Sequence, residues 1–141
     1  MSNKSIDHIA YAISNTDKSL EIFSILGFTE SLFYKQKIEK FASYITKIQS
    51  AHGEIVELVE PITNKSVVTS LIKNKQSTIY HAAFYTNDLN YTLKLLKDTG
   101  AVIITEPMSI PYPATRKHSE YKTSHVFHPS VGIFEITGPN Y

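Results

Sequence analysis

The chain has no cysteine among its 141 residues. That excludes a disulfide framework and thiolate metal ligands, and it leaves any metal chemistry to imidazole and carboxylate groups. An excess of charge of one sign is also missing: 14 Lys and Arg stand against 13 Asp and Glu, a formal net charge of +1. No broad field therefore attracts nucleic acid or an anionic membrane, and the expected partner is a small molecule. No apolar run approaches the roughly 18 residues that a bilayer-spanning helix requires, and the opening MSNKSID lacks the apolar core of a signal peptide. These absences predict a cytoplasmic protein with no membrane partner.

What is present suits an ordinary globular fold, with 42% hydrophobic and 19% charged residues. The length predicts a single domain over 1–141.

That domain is written twice. Laying His8 on His81 brings Ile6 to Ile79, Ala10 to Ala83, Tyr11 to Phe84, Leu20 to Leu93 and Gly27 to Gly100 without a gap. Each copy opens on a strand-like apolar run, IDHIAYAI in one and IYHAAFYT in the other. A polar pair able to cap a helix follows, Asn15–Thr16 or Asn87–Asp88. Leucine and phenylalanine then recur at helical spacing, as Leu20, Phe23 and Leu26 and as Leu89, Leu93 and Leu96, before a glycine suited to stop the helix.

Three further extended segments complete each copy, near 28–35, 41–49 and 54–60 and near 101–105, 121–128 and 131–137. His52–Gly53 makes a turn for the first hairpin, and Ser130 to Gly132 holds the equivalent place in the second. The last strands repeat as well, VELVEP over FEITGP, with Glu57 on Glu135 and Pro61 on Pro139. The expected organisation is module 1 over about 5–61, a linker helix over about 64–75 and module 2 over about 78–139. Val67, Val68, Leu71 and Ile72 give that linker helix an apolar face. The segment 106–121 carries Pro107, Pro111 and Pro113 and is expected to be an irregular loop.

Four residues contradict the core positions they occupy. Strand alternation sends His8 to the face of Ile6 and Ala10, Glu57 to that of Ile55 and Val59, His81 to that of Ile79 and Ala83, and Glu135 to that of Ile133 and Thr137. An unpaired carboxylate among apolar neighbours demands a cation. Taken singly, a strand histidine reads as a hydrogen-bonded core residue and a strand glutamate as solvent-facing. Recurrence of both types at equivalent places in two copies argues instead for a divalent ion held by His8, Glu57, His81 and Glu135. Two nitrogens and two carboxylate oxygens suit zinc, cobalt, nickel, manganese or iron. His52 and His118 read as turn or surface residues, while His125 and His128 lie in or beside a strand within reach of a substrate.

A doubled βαβββ unit with His on the first strand and Glu on the last strand of each copy resembles the vicinal oxygen chelate superfamily, the glyoxalase/bleomycin resistance/dioxygenase proteins. The stretches IDHIAYAI, VELVEPI, YHAAF and FHPSVGIFEITG look most like the methylmalonyl-CoA epimerase branch. Those epimerases read roughly DHVA, ELLEPL, HHIAF and FLHPK…GVLIEL at the corresponding places. The resemblance implies an α+β fold of two tandem βαβββ modules, with a curved mixed sheet around a metal cleft. It implies a metal-dependent isomerase or epimerase that moves a proton next to a carbonyl through a metal-stabilised enolate. Glu135 and Glu57 are then the candidate proton-moving pair, the substrate is a small molecule such as a thioester, and the usual assembly is a homodimer.

Two segments depart from that branch. FASYITKI has no glutamate where some epimerases carry one, and YPATRKHSEYK replaces an HGK-like turn. In the second segment Arg116, Lys117 and Lys122 could bind an anionic group of the substrate, with His125 beside them. The alternatives of the same fold are a lactoylglutathione lyase-like isomerase acting on a hemithioacetal and a metal-free protein that binds a small molecule such as an antibiotic.

Overall fold

The structure is a computed structural model that describes residues 6–110 and 121–139. The chain divides into two compact units, one of residues 8–80 and one of residues 81–141 with the residues before His8. Nine strands and two α-helices are found among the described residues, so the fold is of the α+β class.

The unit of residues 8–80 runs β1 (Ile6–Ile13), α1 (Thr16–Ile25), β2 (Glu30–Ile38), β3 (Ser43–Gln49) and β4 (Ile55–Pro61), with β1 entering from the residues before His8. Its strands lie in the order β2-β3-β4-β1. The connections within the β2-β3-β4 meander are antiparallel, whereas β1 lies parallel to β4 and sets Ala10 opposite Glu57. A parallel pair needs a crossover connection, and α1 provides the start of it.

Helix α1 begins where the Asn15 side chain accepts a hydrogen bond from the Lys18 amide at 3.1 Å. Glu60 of β4 adds a second fastening, accepting from the amide and the hydroxyl of Thr16 at 2.8 and 3.0 Å. The helix ends at Gly27, whose φ of +99° is the left-handed conformation that glycine adopts without penalty. Leu20 and Phe23 of α1 pack with Tyr11 and Phe28 on a buried cluster of Ile13, Ile48, Val56 and Leu58. Tyr11, Phe23 and Phe28 meet edge to face, with centroids 5.1 and 6.0 Å apart.

The other unit repeats this plan with β5 (Ser77–Tyr85), whose first four residues belong to the 8–80 unit, then α2 (Leu89–Asp98), β6 (Val102–Ile103), β7 (Met108–Ser109), β8 (Tyr121–His128) and β9 (Gly132–Pro139). β5 lies parallel to β9 with Ala83 opposite Glu135, the register that Ala10 and Glu57 share in the first unit. β8 is antiparallel to β9, and both β6 and β7 pair with β8. Asp88 caps α2 by accepting from the Tyr91 amide at 3.0 Å, and Gly100 stops it with φ +95°. Its core is Leu89, Leu93, Ala101, Val126, Phe134 and Ile136, with Phe84, Leu96 and Ile103 packed on it.

Two expected elements differ. The helix foreseen over about 64–75 is a series of turns with one 3₁₀ helix at Ser70–Ile72. Val68 is fully buried while Val67 stands exposed, so the apolar residues do not share one face as a regular helix would require. The loop foreseen over 106–121 contains β7, where Met108 and Ser109 pair with Thr123 and Lys122. Neither residue is a proline, so both keep the amide that a ladder needs.

Candidate functional site

In the unit of residues 8–80 the side chains of β1, β3 and β4 alternate between two faces. One carries the Ile13, Ile48, Val56 and Leu58 cluster on which α1 packs. The other carries His8, Glu57 and Lys47, among Ala10, Ala12, Ile45 and Val59, all of them buried. Lys47 stands directly opposite Glu57 in the β3–β4 ladder. Glu57 Oε2 lies 3.5 Å from His8 Nε2 and 3.6 Å from Lys47 Nζ. The residues themselves are 2, 4 and 3% exposed for His8, Glu57 and Lys47.

In the other unit the same construction appears with different chemistry around the carboxylate. His81 Nε2 lies 2.8 Å from Glu135 Oε2, with both residues 4% exposed. The Thr123 hydroxyl donates a hydrogen bond to Glu135 Oε1. His125 stands directly opposite Glu135 in the β8–β9 ladder, its Nε2 4.0 Å from Oε2. Its ring meets that of His81 edge on, with centroids 5.4 Å apart. Thr105 holds His125 from behind, with its hydroxyl accepting from the His125 amide at 2.8 Å and lying 3.3 Å from Nδ1.

These separations fit a metal ligand set. Bonds of about 2.1 Å from an ion to nitrogen and oxygen place neighbouring donors roughly 3.0 Å apart in an octahedron and 3.4 Å apart in a tetrahedron. The His–Glu separations of 3.5 and 2.8 Å lie within about 0.2 Å of those values, one just above the tetrahedral spacing and one just below the octahedral one. Each unit thus presents one imidazole nitrogen and one carboxylate oxygen at the spacing of adjacent ligands, on a face where a carboxylate needs a positive partner.

The remaining expected residues are placed as follows. Lys122 is part-buried in β8, and alternation sends it to the face of Ser124 and Val126, away from Thr123 and His125. Arg116, Lys117 and His118 lie outside the described residues. His52 is exposed in the β3–β4 turn, and His128 is part-buried with Nε2 3.2 Å from the Thr99 carbonyl oxygen.

Lys47 and Thr123 were not anticipated, although both could have been. A turn centred on His52 in a two-stranded hairpin mirrors residue 47 onto residue 57, and the alternation that singled out Glu57 places Lys47 on the same face. Thr123 precedes His125 by two residues on β8 and so shares its face.

Residues 7–118 match the family model described as Glyoxalase/Bleomycin resistance protein/Dioxygenase superfamily. A comparison with curated protein sequences gives no significant match. Among solved structures, the chain is similar to a variant of methylmalonyl-CoA epimerase from Streptomyces coelicolor in complex with 2-nitronate-propionyl-CoA. There the identity is 18%, the TM-score 0.73, and the coverage 98% of this chain and 99% of that one. The methylmalonyl-CoA epimerase from Mycobacterium tuberculosis is 16% identical with TM-score 0.72, covering 99% and 91% of the two chains. A methylmalonyl-CoA epimerase in complex with methylmalonyl-CoA and NH4+ is 20% identical with TM-score 0.73, covering 98% and 96%. These likenesses establish a common fold.

Proposed function

The chain belongs to the Glyoxalase/Bleomycin resistance protein/Dioxygenase superfamily, and on that premise we propose that it is a metal-dependent isomerase or epimerase of methylmalonyl-CoA epimerase type, moving a proton next to a carbonyl. The observation that carries this reading is the pair of locally equivalent His–Glu contacts, His8 with Glu57 and His81 with Glu135. Together they supply two nitrogens and two carboxylates, the set His8, Glu57, His81 and Glu135, for a divalent ion such as zinc, cobalt, nickel, manganese or iron. When bound, the ion supplies Lewis-acid polarisation of the substrate carbonyl, which acidifies the neighbouring C–H.

The protein's own groups do the rest. Glu135 and Glu57 are the proton-moving carboxylates, one for each face of a planar intermediate. The Thr123 hydroxyl fixes one oxygen of Glu135 and leaves Oε2, the oxygen beside His81, to act. His125 binds the substrate beside Glu135, and Arg116 and Lys117 bind its anionic end; Lys122, on the opposite face of β8 from His125, is not among those groups. A coenzyme A thioester is the substrate class supported by the fold-level likeness to epimerases solved with such ligands. The functional assembly is a homodimer, and no described helix is long and apolar enough to cross a membrane.

Elemental analysis of the purified protein beside His8→Ala and Glu135→Ala tests the reading. About one divalent ion per chain, lost in both variants, supports it and justifies assays with a thioester and with a hemithioacetal. Absence of metal uptake by the parent protein overturns it in favour of a metal-free binding protein.

A further inference from the structure

Strands β6 and β7 both pair with β8, but not continuously. Ile103 faces Val126 and Met108 faces Thr123, so residues 104–107 cross over Ser124 and His125, four residues against two. Bulged segments of this kind re-aim side chains beside functional sites. Here the bend is fastened at Thr105. The His125 carbonyl oxygen accepts from the amides of Ile104 and Thr105 at 2.8 and 3.2 Å, and the Ser124 hydroxyl donates to the Thr105 carbonyl oxygen. The His125 amide donates to Thr105 Oγ1 at 2.8 Å, and that oxygen lies 3.3 Å from His125 Nδ1. The amide and carbonyl of residue 105 would serve with almost any side chain, whereas the hydroxyl is what reaches the imidazole.

A threonine hydroxyl has one proton to donate and two lone pairs with which to accept. The His125 amide takes one lone pair of Thr105 Oγ1, and among the described residues Nδ1 is the acceptor left within reach of its proton. A proton on Nδ1 would make Oγ1 accept twice and leave the hydroxyl proton with no described acceptor. At the other end of the ring, Nε2 faces Glu135 Oε2 from 4.0 Å. That is too far for a hydrogen bond, yet a carboxylate at this range favours an N–H turned toward it over a lone pair. Both ends select the same neutral tautomer, because the ring nitrogen that carries the proton is set by the hydrogen bond the other one makes.

On the reading above of His125 as a substrate contact, we infer that Thr105 is a positioning residue whose hydroxyl fixes His125 in the Nε2–H tautomer, so that His125 offers an N–H to a carbonyl or carboxylate oxygen of the ligand. Every group involved lies in the unit of residues 81–141. The roles of the facing pair are then divided: His125 donates a hydrogen bond, and Glu135 alone is left to accept a proton.

Imidazole nitrogen–proton correlation spectra of the full chain, recorded before and after addition of zinc, read this directly. They are taken at about pH 8, where an ordinary imidazole is neutral, and His125→Gln identifies the His125 signals. The parent ring should carry a single proton, on Nε2. Thr105→Val keeps the side chain's shape and removes the hydroxyl, so the ratio of Nε2–H to Nδ1–H forms should fall about fivefold or more, the worth of one hydrogen bond. Thr105→Ser should hold the parent ratio. With metal content unchanged, kcat/KM on an accepted thioester should follow the same order, lowered in Thr105→Val and kept in Thr105→Ser. A parent His125 in any other protonation state overturns the proposal without recourse to a variant, and so does Thr105→Val with the parent's ring signals. A protein that takes up no metal overturns the functional reading instead, and the spectra then decide the assignment of Thr105 by themselves.

Discussion

His125 faces Glu135 directly across the β8–β9 ladder, with its Nε2 4.0 Å from Glu135 Oε2. Lys47 has the same place relative to Glu57 across β3 and β4. Each glutamate is therefore approached by a histidine from the strand parallel to it and by a basic residue from the strand antiparallel to it. The internal repeat extends to this second position in location and charge type, though the residue differs. A lysine stays cationic near neutral pH, whereas a histidine can be either charged or neutral. The two glutamates thus have different neighbours.

His125→Gln is expected to separate substrate handling from metal binding. The imidazole lies farther from Glu135 than His81 does, 4.0 against 2.8 Å, so the variant should retain its metal. Its kcat/KM on an accepted substrate should fall roughly tenfold, the order lost with one hydrogen bond to a charged group. Retained metal with unchanged kcat/KM would remove His125 from the substrate contacts.

Thr123→Val keeps the shape of the side chain and deletes the hydroxyl that donates to Glu135 Oε1. Groups that orient a metal-ligating carboxylate are typically worth about 10–100-fold in metal affinity. The expected result is weaker metal binding by that order, read in a competition titration with a fluorescent chelator. Stability of the metal-free protein should drop by only about 1 kcal/mol. Loss of stability without loss of metal affinity would make Thr123 a structural residue only.

Glu60→Ala addresses how α1 is fastened to the sheet. One Glu60 oxygen accepts both donors of Thr16, and the other lies 3.6 Å from Lys35 Nζ. Thr16 is almost fully buried, so removing the acceptor leaves its amide and hydroxyl without this partner in the interior. The cost should be about 1–2 kcal/mol in urea denaturation, comparable to loss of a helix cap. Metal content should not change, because Glu60 lies near the end of strand β4, three residues beyond Glu57, and is itself part-exposed.

Much of this arrangement was legible in the sequence because it follows from periodicity. His8, Glu57, His81 and Glu135 stood out as charged or titratable residues at apolar strand positions, and all four are buried on strands. The glycine stops at Gly27 and Gly100 were readable because a positive φ suits glycine above other residues. The linker was less legible: four apolar residues spaced for a helix do not form one when only Val68 finds a fully buried place. Tertiary packing decides such short segments, since a few residues gain little from helix propagation. Lys47 was passed over for a different reason. Its significance comes from the cross-strand register with Glu57, a nonlocal relationship that becomes visible once the hairpin turn is fixed.

Gly138→Ala tests a close approach that alternation alone does not reveal. Gly138 lies in β9, next to Thr137, whose carbonyl oxygen accepts a hydrogen bond from the Thr86 amide at 3.0 Å. A Cβ built on Gly138 would sit 2.1 Å from the Thr86 carbonyl oxygen, a backbone atom that cannot swing aside as a flexible side chain would. Relief requires the end of β5 and the end of β9 to separate, which strains the hydrogen bond between Thr86 and Thr137. A cost of about 1–3 kcal/mol is expected, as for other overpacked sites, measured as a lowered denaturation midpoint. The strand β9 also carries Glu135, and β5 carries His81, so the shift should reach the 2.8 Å contact between them. Metal affinity should therefore fall along with stability. A Gly138→Ala protein as stable as its parent would show that the two strand ends can part without loss and that this glycine is not required for the register that sets His81 against Glu135.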